Sequence, residues 1–370
     1  MVAQQQTTAE ASRQTPPETL SETGRVVTET NSGHELIVVD TVRAMRPRQW
    51  NAVVDRSRCG TVFHRYEWLE AIETGLSYPA THLVVRKDGN PIALWPNFVV
   101  DLPPTRVRRL TSLYPGFGGP VVTTDVSEVL PLLVDGIPDC CSGRTVVHEI
   151  RACNPDYLRY NDVLQSRGYR PARFGGRFQL DLEGGYDDVL SGMSNTRRKG
   201  IRRGRNTDHE LVEEDVTRET LARFHRVYEQ QMASTDGEAY PVAFFEQLAE
   251  MHSRILLVTL RVEGEYAGGF LELLDEEQST VHGFFAAVPD QYYEYHASEL
   301  LYDFVIRWAI DNGYETYDFG GSEADFRNGV FRFKEGFGGE LVPNIYWERG
   351  CSTLWPLVRA GRSLYWRRRK

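Results

Sequence analysis

The sequence lacks the features that mark a secreted, membrane-spanning or zinc-binding protein. Its N-terminus has no basic region followed by an apolar core, and no apolar run approaches the roughly 18 residues of a spanning helix. The five cysteines include no Cys-x-x-Cys pair, and the nine histidines add no ligand spacing typical of zinc. We therefore expect free thiols in a reducing cytoplasm, and no bound metal.

Lysine is also scarce, because only four of the 42 basic residues are lysines and the other 38 are arginines. The formal net charge is −10, yet residues 197–205 and 354–370 each hold six basic residues and no acidic one. Such segregated charge favours local contact with an anionic partner, such as a nucleotide, a tRNA end or a lipid phosphate. It argues against a general DNA-binding surface.

The length of 370 residues and a hydrophobic content of 41% indicate a folded protein of two domains. Residues 1–33 are polar and are expected to form a disordered leader. The predicted first domain covers residues 34–170 and the second covers residues 171–345. A basic aromatic tail, residues 346–370, is expected to follow.

An internal duplication at an offset of 175 residues supports the two domains. Segments 81–94 and 257–270 both have the pattern of a strand, a charged glycine turn and a second strand. A helix-like segment of similar length precedes each hairpin. The turn residues align as Asp88 and Gly89 with Glu263 and Gly264. We infer two related domains in tandem.

The second copy continues with a predicted strand over 279–288, a helix over 300–309 and a further strand from residue 314. Gly313 stands where the helix should end. Antiparallel strands followed by a strand–helix–strand step indicate an α+β fold.

Residues 317–340 read Tyr-Asp-Phe-Gly-Gly-Ser-Glu-Ala-Asp-Phe-Arg-Asn-Gly-Val-Phe-Arg-Phe-Lys-Glu-Gly-Phe-Gly-Gly-Glu. This stretch resembles the closing signature of the FemAB-like branch of the GNAT acyltransferase superfamily. The basic stretch 194–204 is similar to the segment that opens the second domain in that family. The resemblance implies an α+β fold with tandem GNAT-like (acyl-CoA N-acyltransferase) domains, whose mixed, mainly antiparallel sheets are flanked by helices.

The resemblance also implies an amide-forming N-acyltransferase. Members of the family act on peptidoglycan precursors or in polysaccharide assembly, so the expected acceptor is an anionic, lipid-linked precursor of the cell envelope or of a surface polysaccharide. No cofactor is expected to stay bound, because the donor, an aminoacyl-tRNA or an acyl-CoA, is a co-substrate. Two alternatives stay open: an acyl-CoA-dependent N-acetyltransferase of a small metabolite, and a non-catalytic module that binds an anionic glycan or tRNA.

One segment argues against the standard mode of coenzyme A binding. Ordinary GNAT domains carry a Q/R-x-x-G-x-G/A loop whose backbone N–H groups bind the pyrophosphate at a helix start. The corresponding residues 291–298 contain no glycine. Glycine permits the close backbone approach that a phosphate needs, so the sequence favours a different contact with the donor.

Two residues of the resembling stretch are the predicted catalytic groups. Lys334 is expected to meet a phosphate or the developing oxyanion as a point charge, the alternative being an exposed strand residue. Asp318 is expected to orient the amine or accept its proton, the alternative being a carboxylate bound to the glycine turn that follows. Glu272 and His282 are further base candidates, although a single polar residue on an alternating strand usually faces solvent.

The predicted substrate-binding residues fall into two groups. Four cations of the basic segment are expected to contact phosphates of the donor or acceptor, unless they form an ordinary solvated helix face. Glycines and aromatic residues are expected to shape the pocket. The full set is Arg197, Arg198, Lys199, Arg202, Phe333, Gly320, Gly321 and Tyr295.

The tail combines aromatic and basic residues in the way of a peripheral membrane anchor. Trp355, Tyr365 and Trp366 supply interfacial side chains beside six cations. The sequence thus predicts contact with an anionic membrane at its cytoplasmic face, the alternative being that the segment packs back on the first domain.

Overall fold

The computed structural model describes residues 24–103, 106–234, 237–322 and 325–361. The strands are, in chain order, β1 (Arg25–Glu29), β2 (His34–Val39), β3 (His82–Lys87), β4 (Asn90–Trp95), β5 (Phe98–Asp101), β6 (Arg108–Ser112), β7 (Val121–Val122), β8 (Thr145–Ala152), β9 (Arg170–Asp181), β10 (His209–Glu214), β11 (Ile255–Val262), β12 (Glu265–Asp275), β13 (Thr280–Ala287), β14 (Thr316–Ser322) and β15 (Glu340–Gly350).

The helices alternate with these strands and cover their faces. They are α1 (Pro47–Arg56), α2 (Tyr66–Ala71), α3 (Val126–Cys140), α4 (Asn161–Ser166), α5 (Gly185–Gly192), α6 (Asn195–Gly204), α7 (Arg218–Ser234), α8 (Val242–Gln247), α9 (Ala297–Asp311) and α10 (Gly329–Glu335). A π turn follows α2, and short 3-10 turns occur at Val42–Ala44, Val62–His64, Pro155–Tyr160, Leu248–Arg254, Glu276–Gln278 and Asp290–Tyr295.

Two sheets are formed by the described residues. The smaller sheet has the strand order β1-β2-β3-β4-β7, and the larger one has the order β10-β11-β12-β13-β14-β9-β15-β8-β6-β5. Most neighbouring strands are antiparallel, whereas β13 with β14 and β6 with β8 are parallel. Strand β15 lies between β9 and β8 and so joins strands of the N-terminal and C-terminal halves in one sheet. The predicted α+β fold of mixed sheets is confirmed.

The two hairpins aligned in the sequence have the same backbone geometry. In β3–β4, Asp88 and Gly89 have φ of 50° and 76°, and in β11–β12 Glu263 and Gly264 have φ of 51° and 81°. Both hairpins also shift register just before the aligned arginines, Arg86 and Arg261. Two successive residues at positive φ match the twist of the flanking strands, which explains the recurrence of a charged residue followed by glycine.

The helix and strand predicted after the second hairpin are also present. Helix α9 buries Leu300, Leu301 and Val305 against the sheet, and the chain leaves it through Gly313, whose φ is 79°. The residue after a helix commonly takes this left-handed conformation, which glycine adopts without strain. Strand β14 then returns alongside β13.

The structure corrects the expected ends of the folded part. Residues 25–29 are expected to lie in a disordered leader, but they form β1 and pair antiparallel with β2 in a hairpin, which the polar composition does not reveal. Residues 346–350 are expected in the tail, but they complete β15. Residues 1–23 and 362–370 lie outside the described part of the chain.

The first turn of the tail packs on the N-terminal half. Trp355 is 6% exposed and belongs to one buried hydrophobic cluster with Leu102, Val146 and Val147. This side chain is therefore not free to enter a membrane, which corrects the expectation for Trp355, whereas Leu357 is exposed. The cations at 362 and 367–370 lie outside the described residues, so membrane contact through them stays a prediction.

Among the described helices, none is long and apolar enough to cross a membrane. The five cysteines, all within the described residues, form no disulfide, and Cys141 Sγ lies 2.8 Å from Cys351 Sγ.

Candidate active site

The parallel strands β13 and β14 pair at only three positions, and the last of these joins His282 to Asp318. The described residues show no pair between these strands beyond that point, although β13 continues to Ala287 and β14 to Ser322. Backbone groups on the facing edges of the two strand ends are thus left without a strand partner across the gap. An extended ligand with amide groups can add to such an edge.

Gly320 allows the close approach of the two strands at the point where their pairing ends. Its φ is 72°, and a Cβ atom built on it would come within 2.4 Å of the carbonyl oxygen of Gly283. Any larger residue would meet this backbone oxygen, so the first glycine of the predicted turn is required by both conformation and space. Gly321 has open space beside it and pairs with Arg177 of β9.

A buried cluster of charged side chains lies at the separation point, on one face of the sheet. Asp318 Oδ2 is 2.9 Å from Arg177 Nε and 3.3 Å from His282 Nδ1. His282 Nε2 lies 3.6 Å from Asp275 Oδ2, and Arg177 Nη1 donates a hydrogen bond of 2.5 Å to Asn344 Oδ1. All five side chains are buried. The arrangement is a buried row of alternating charges that runs from Asp275 at the end of β12 to Arg177 of β9 and ends on the amide of Asn344 in β15.

The charges of this cluster determine its protonation. Burial disfavours the charged form of His282, but the two neighbouring carboxylates outweigh burial and raise its pKa to about 9. Burial likewise opposes ionisation of Asp318, but His282, Arg177 and the N–H of Gly320 lower the pKa of this carboxyl below its ordinary value. At neutral pH the cluster therefore holds an imidazolium and a carboxylate.

Asp318 binds the glycine turn, as the structural alternative predicted, and it also belongs to the charge cluster. Its Oδ1 accepts a hydrogen bond of 2.9 Å from the N–H of Gly320, so it stabilises the glycine turn. Its Oδ2 holds the imidazolium of His282. Sequence reasoning thus located the residue, and its role as an amine-orienting group stays a prediction.

Glu272 of β12 lies on the opposite face of the sheet and is 1% exposed, and this burial shifts the pKa of its carboxyl. Burial raises its pKa to about 8, although a hydrogen bond of 3.2 Å from the Tyr317 hydroxyl opposes this shift. Its Oε2 atom is buried without a hydrogen-bond partner among the described residues. A carboxyl is suited to accept a proton when its pKa is near neutral pH and one of its oxygens has no hydrogen-bond partner among the described residues. The expectation that Glu272 and His282 face solvent is wrong.

Lys334 lies in α10 and is 9% exposed, so its structural alternative, an exposed strand residue, is wrong. Its ammonium donates hydrogen bonds of 2.6 Å and 3.0 Å to the carbonyl oxygens of Phe319 and Gly321. Burial lowers its pKa to about 8, and the charges of Asp318 and Glu272 partly oppose this. The lysine therefore clamps the glycine turn that carries Asp318.

The basic segment forms α6, and the structure divides its cations into two groups. Arg197 Nη1 binds Glu299 Oε1 at 2.7 Å, and its guanidinium carbon lies 4.2 Å from the ring centroid of Phe333. Arg198 binds the backbone of α5 and the side chain of Asn195. These two arginines are therefore held in place by the fold, and their role in substrate binding stays a prediction.

The remaining cations of α6 are exposed. Lys199, Arg202 and Arg203 have no hydrogen bond or ion pair with the described residues and lie on one helix face at a spacing of three and four residues. Gly200 and Gly204 lie on the face toward α9, where a Cβ atom would come within 3.0 Å of Glu299 or Leu300. Close packing of the glycines against α9 thus turns the three cations outward as one surface, which we call the α6 basic face.

Phe333 and Tyr295, the last two predicted binding residues, lie apart from each other. Phe333 packs between Tyr302 and Arg197 on the second half of the chain, next to Lys334. Tyr295 ends the 3-10 turn before α9, and the carboxylate of Glu263 raises its pKa. No contact in the described part of the chain joins Tyr295 to Lys334 or Asp318, so the structure does not bring this tyrosine to the cluster.

Arg177 is one of three cluster residues that sequence reasoning missed, the others being Asp275 and Asn344. Arg177 is 2% exposed, and its partners Asp318 and Asn344 are far along the chain, the latter by 167 positions. In a chain with 38 arginines, its residue type carries no signal. Only the placement of β9 between β14 and β15 identifies it.

The comparisons with known proteins agree with this geometry. Residues 192–334 match the family model of the acetyltransferase (GNAT) domain, which ends at Lys334. No curated protein sequence matched the chain.

Solved structures extend the likeness to both halves. The crystal structure of FemX has a TM-score of 0.66 at 14% identity, covering 85% of this chain and 98% of that one. The C-terminal domain of a putative lysylphosphatidylglycerol synthetase from Agrobacterium fabrum has a TM-score of 0.55 at 14% identity, covering 86% and 95%. A tandem GNAT protein from the clavulanic acid biosynthesis pathway has a TM-score of 0.53 at 11% identity, covering 86% and 99%. Residues 192–334 thus match the acetyltransferase (GNAT) domain, and the chain as a whole shares the fold of FemX and of a tandem GNAT protein.

Proposed function

We propose that the protein is an amide-forming N-acyltransferase that transfers an acyl or aminoacyl group from an activated ester or thioester to an amine of an anionic precursor of the cell envelope or of a surface polysaccharide. The observation that carries this proposal is the set of buried ionisable groups where β13 and β14 separate within the matched GNAT domain. A lipid-linked acceptor would bring the protein to the cytoplasmic face of the membrane.

The chemistry requires little more than positioning and proton handling. An ester or thioester is already activated, so an amine held at attack distance in its neutral form can react once its proton has an acceptor. Glu272, with a pKa of about 8 and a free Oε2, is the residue suited to receive this proton. The imidazolium of His282 and the ammonium of Lys334 supply positive charge near the turn, which favours an oxyanion formed there.

The test is to incubate the purified protein with cell extract and either labelled acyl-CoA or labelled aminoacyl-tRNA, and to detect new amides by mass spectrometry. Amide formation with either donor supports an acyltransferase, and dependence on tRNA separates the aminoacyl reaction from the acyl-CoA reaction. A Glu272→Gln variant should lower turnover by about 100-fold while retaining the fold. Absence of product with both donors would favour the non-catalytic binding module.

The α6 basic face predicts how an anionic substrate is held. Changing Lys199, Arg202 and Arg203 together to glutamine should raise the KM for that substrate by about tenfold and weaken its salt dependence, because three exposed cations attract phosphate through screened Coulomb forces. Steady-state kinetics at several salt concentrations measure both effects. A matched triple variant of the exposed residues Arg48, Arg56 and Arg144 removes the same charge elsewhere, and an equal change in KM would assign the effect to net charge alone.

A further inference from the structure

A half-buried arginine of the N-terminal half has aromatic neighbours but, among the described residues, no acidic partner. Arg151 of β8 stands opposite Tyr346 of β15 in the antiparallel register. Its guanidinium carbon lies 4.9 Å from the ring centroid of Tyr114, 5.6 Å from that of Tyr346 and 6.0 Å from that of Phe117. Three rings therefore surround this side chain, and cation–π attraction to their faces orients it.

The N–H donors of Arg151 form no hydrogen bond or ion pair with the described residues. Glu149 is two residues away on the same face of β8, but it binds Arg109 Nη1 at 3.0 Å. An arginine carries five N–H donors in a planar fork, and partial burial of that fork without an acceptor is unfavourable. The donors are thus available for a ligand with oxygen acceptors.

The rings around Arg151 are themselves held in place. Tyr114 stacks on Tyr78 with a centroid distance of 6.4 Å and an interplanar angle of 24°, and it contacts Tyr240 at 6.2 Å. Arg109 lies over Tyr114 at 5.0 Å. Because the rings are braced on several sides, the guanidinium is pre-organised, which lowers the entropy cost of binding a ligand.

Arg151 lies on the sheet face that carries the charge cluster of the candidate active site. Arg177 binds Asn344 of β15, and Tyr346 is two residues further along the same strand, so both side chains project to one face. Since β8 is the neighbour of β15, Arg151 is two strands away from Arg177 on that face. Arg151 is half-buried, whereas Arg177 is 2% exposed, so of the two arginines only Arg151 can contact a bound substrate directly.

We propose that Arg151 is the anion-binding residue of the acceptor site and binds a carboxylate or phosphate group of the acceptor through its planar fork. Bidentate geometry suits both oxyanions, and the aromatic surround excludes water from the pair. The assignment to the acceptor rests on the proposed function, whereas oxyanion binding at Arg151 does not. The acceptor would extend from this group toward the separation of β13 and β14.

Direct binding tests this assignment without any transferase assay. Calorimetric titration of the full chain with inorganic diphosphate, and separately with N-acetylglycine, distinguishes a phosphate from a carboxylate ligand. Arg151→Gln should weaken binding of the preferred probe by at least tenfold, and Arg151→Lys should restore it only in part, because an ammonium cannot make the bidentate contact. Tyr114→Leu should weaken it by a smaller factor, since the fork loses one of its faces.

The matched control is Arg48→Gln, which removes one exposed arginine from the same half of the chain without touching the rings. Thermal unfolding of each variant shows whether the fold is retained. Selective loss in Arg151→Gln supports the site even when no transferase activity is found. Equal affinities of Arg151→Gln and Arg48→Gln, or no binding of either probe to the unchanged protein at millimolar concentration, would overturn it.

Discussion

Replacing Lys334 with alanine is expected to lower turnover by at least about 100-fold and the free energy of unfolding by about 2–4 kcal/mol. The loss of stability follows from the carbonyl oxygens of Phe319 and Gly321, which lose their buried donor, and from the cavity left beneath the turn. The loss of turnover follows because that turn carries Asp318 and because the positive charge beside it disappears. Urea unfolding and steady-state kinetics measure the two effects separately.

A second substitution separates catalysis from folding. Lys334→Met keeps most of the side-chain volume but has neither charge nor donors, so it should retain more stability than Lys334→Ala while remaining inactive. Lys87→Ala is the matched control, since this lysine forms an ion pair with Asp125 at a solvent-exposed site and its loss should cost little stability and no activity. Wild-type turnover by a folded Lys334→Met protein would show that the lysine acts on stability alone.

The stability of the protein is expected to fall by about 3 kcal/mol as the pH rises from 6.5 to above 9, because of His282. The folded state raises the pKa of this imidazole from 6.5 to about 9, so folding binds its proton more tightly. The stabilisation is therefore fully present below pH 6.5 and is lost as the pH passes through 9. Urea unfolding across this range should show the decline in the unchanged protein, and His282→Gln should remove the share due to the imidazole, leaving the smaller share of Glu272, whose pKa burial raises to about 8.

Another buried histidine provides the control. His148 is held between Tyr169 and Asn97, and burial lowers its pKa to about 3, so it is neutral in the folded protein throughout this pH range. His148→Gln should lower stability by a similar amount at pH 6.5 and at pH 9, leaving the decline intact. If the decline persists unchanged in His282→Gln, the proton is not held by the cluster of Asp275 and Asp318.

Local patterns in the sequence predicted the elements on which the site is built. The hairpin turns at Asp88 and Glu263 were predictable because a charged residue followed by glycine accommodates two successive positive φ angles. Helix α9 was predictable from apolar residues at helical spacing, and its end from Gly313. Such signals act over a few residues, so they do not depend on the strand order.

The partners of the charged residues were not predictable in the same way. The sequence singled out Lys334 by its rarity and Asp318 by its motif, but it did not show that Lys334 would bind carbonyl oxygens or that Arg197 would pair with Glu299. The sequence also led to the wrong expectation that Glu272 faces solvent, because a lone polar residue on a strand does not indicate whether its face is buried or exposed. Burial of that residue depends on α9, which covers β12.

By itself, then, the sequence determined the α+β class, the tandem arrangement and the segment that carries the GNAT signature, since each is encoded in turns, periodicity and motifs of neighbouring residues. Only the tertiary structure decided which charges meet. Strand β15 lies between β9 and β8, and this one placement brings Arg177 to Asn344 and Arg151 to Tyr346 across more than 160 positions of the chain. Contacts at such separations depend on strand order. Strand order results from the balance of all packing interactions in the molecule, so no short segment of the sequence encodes it.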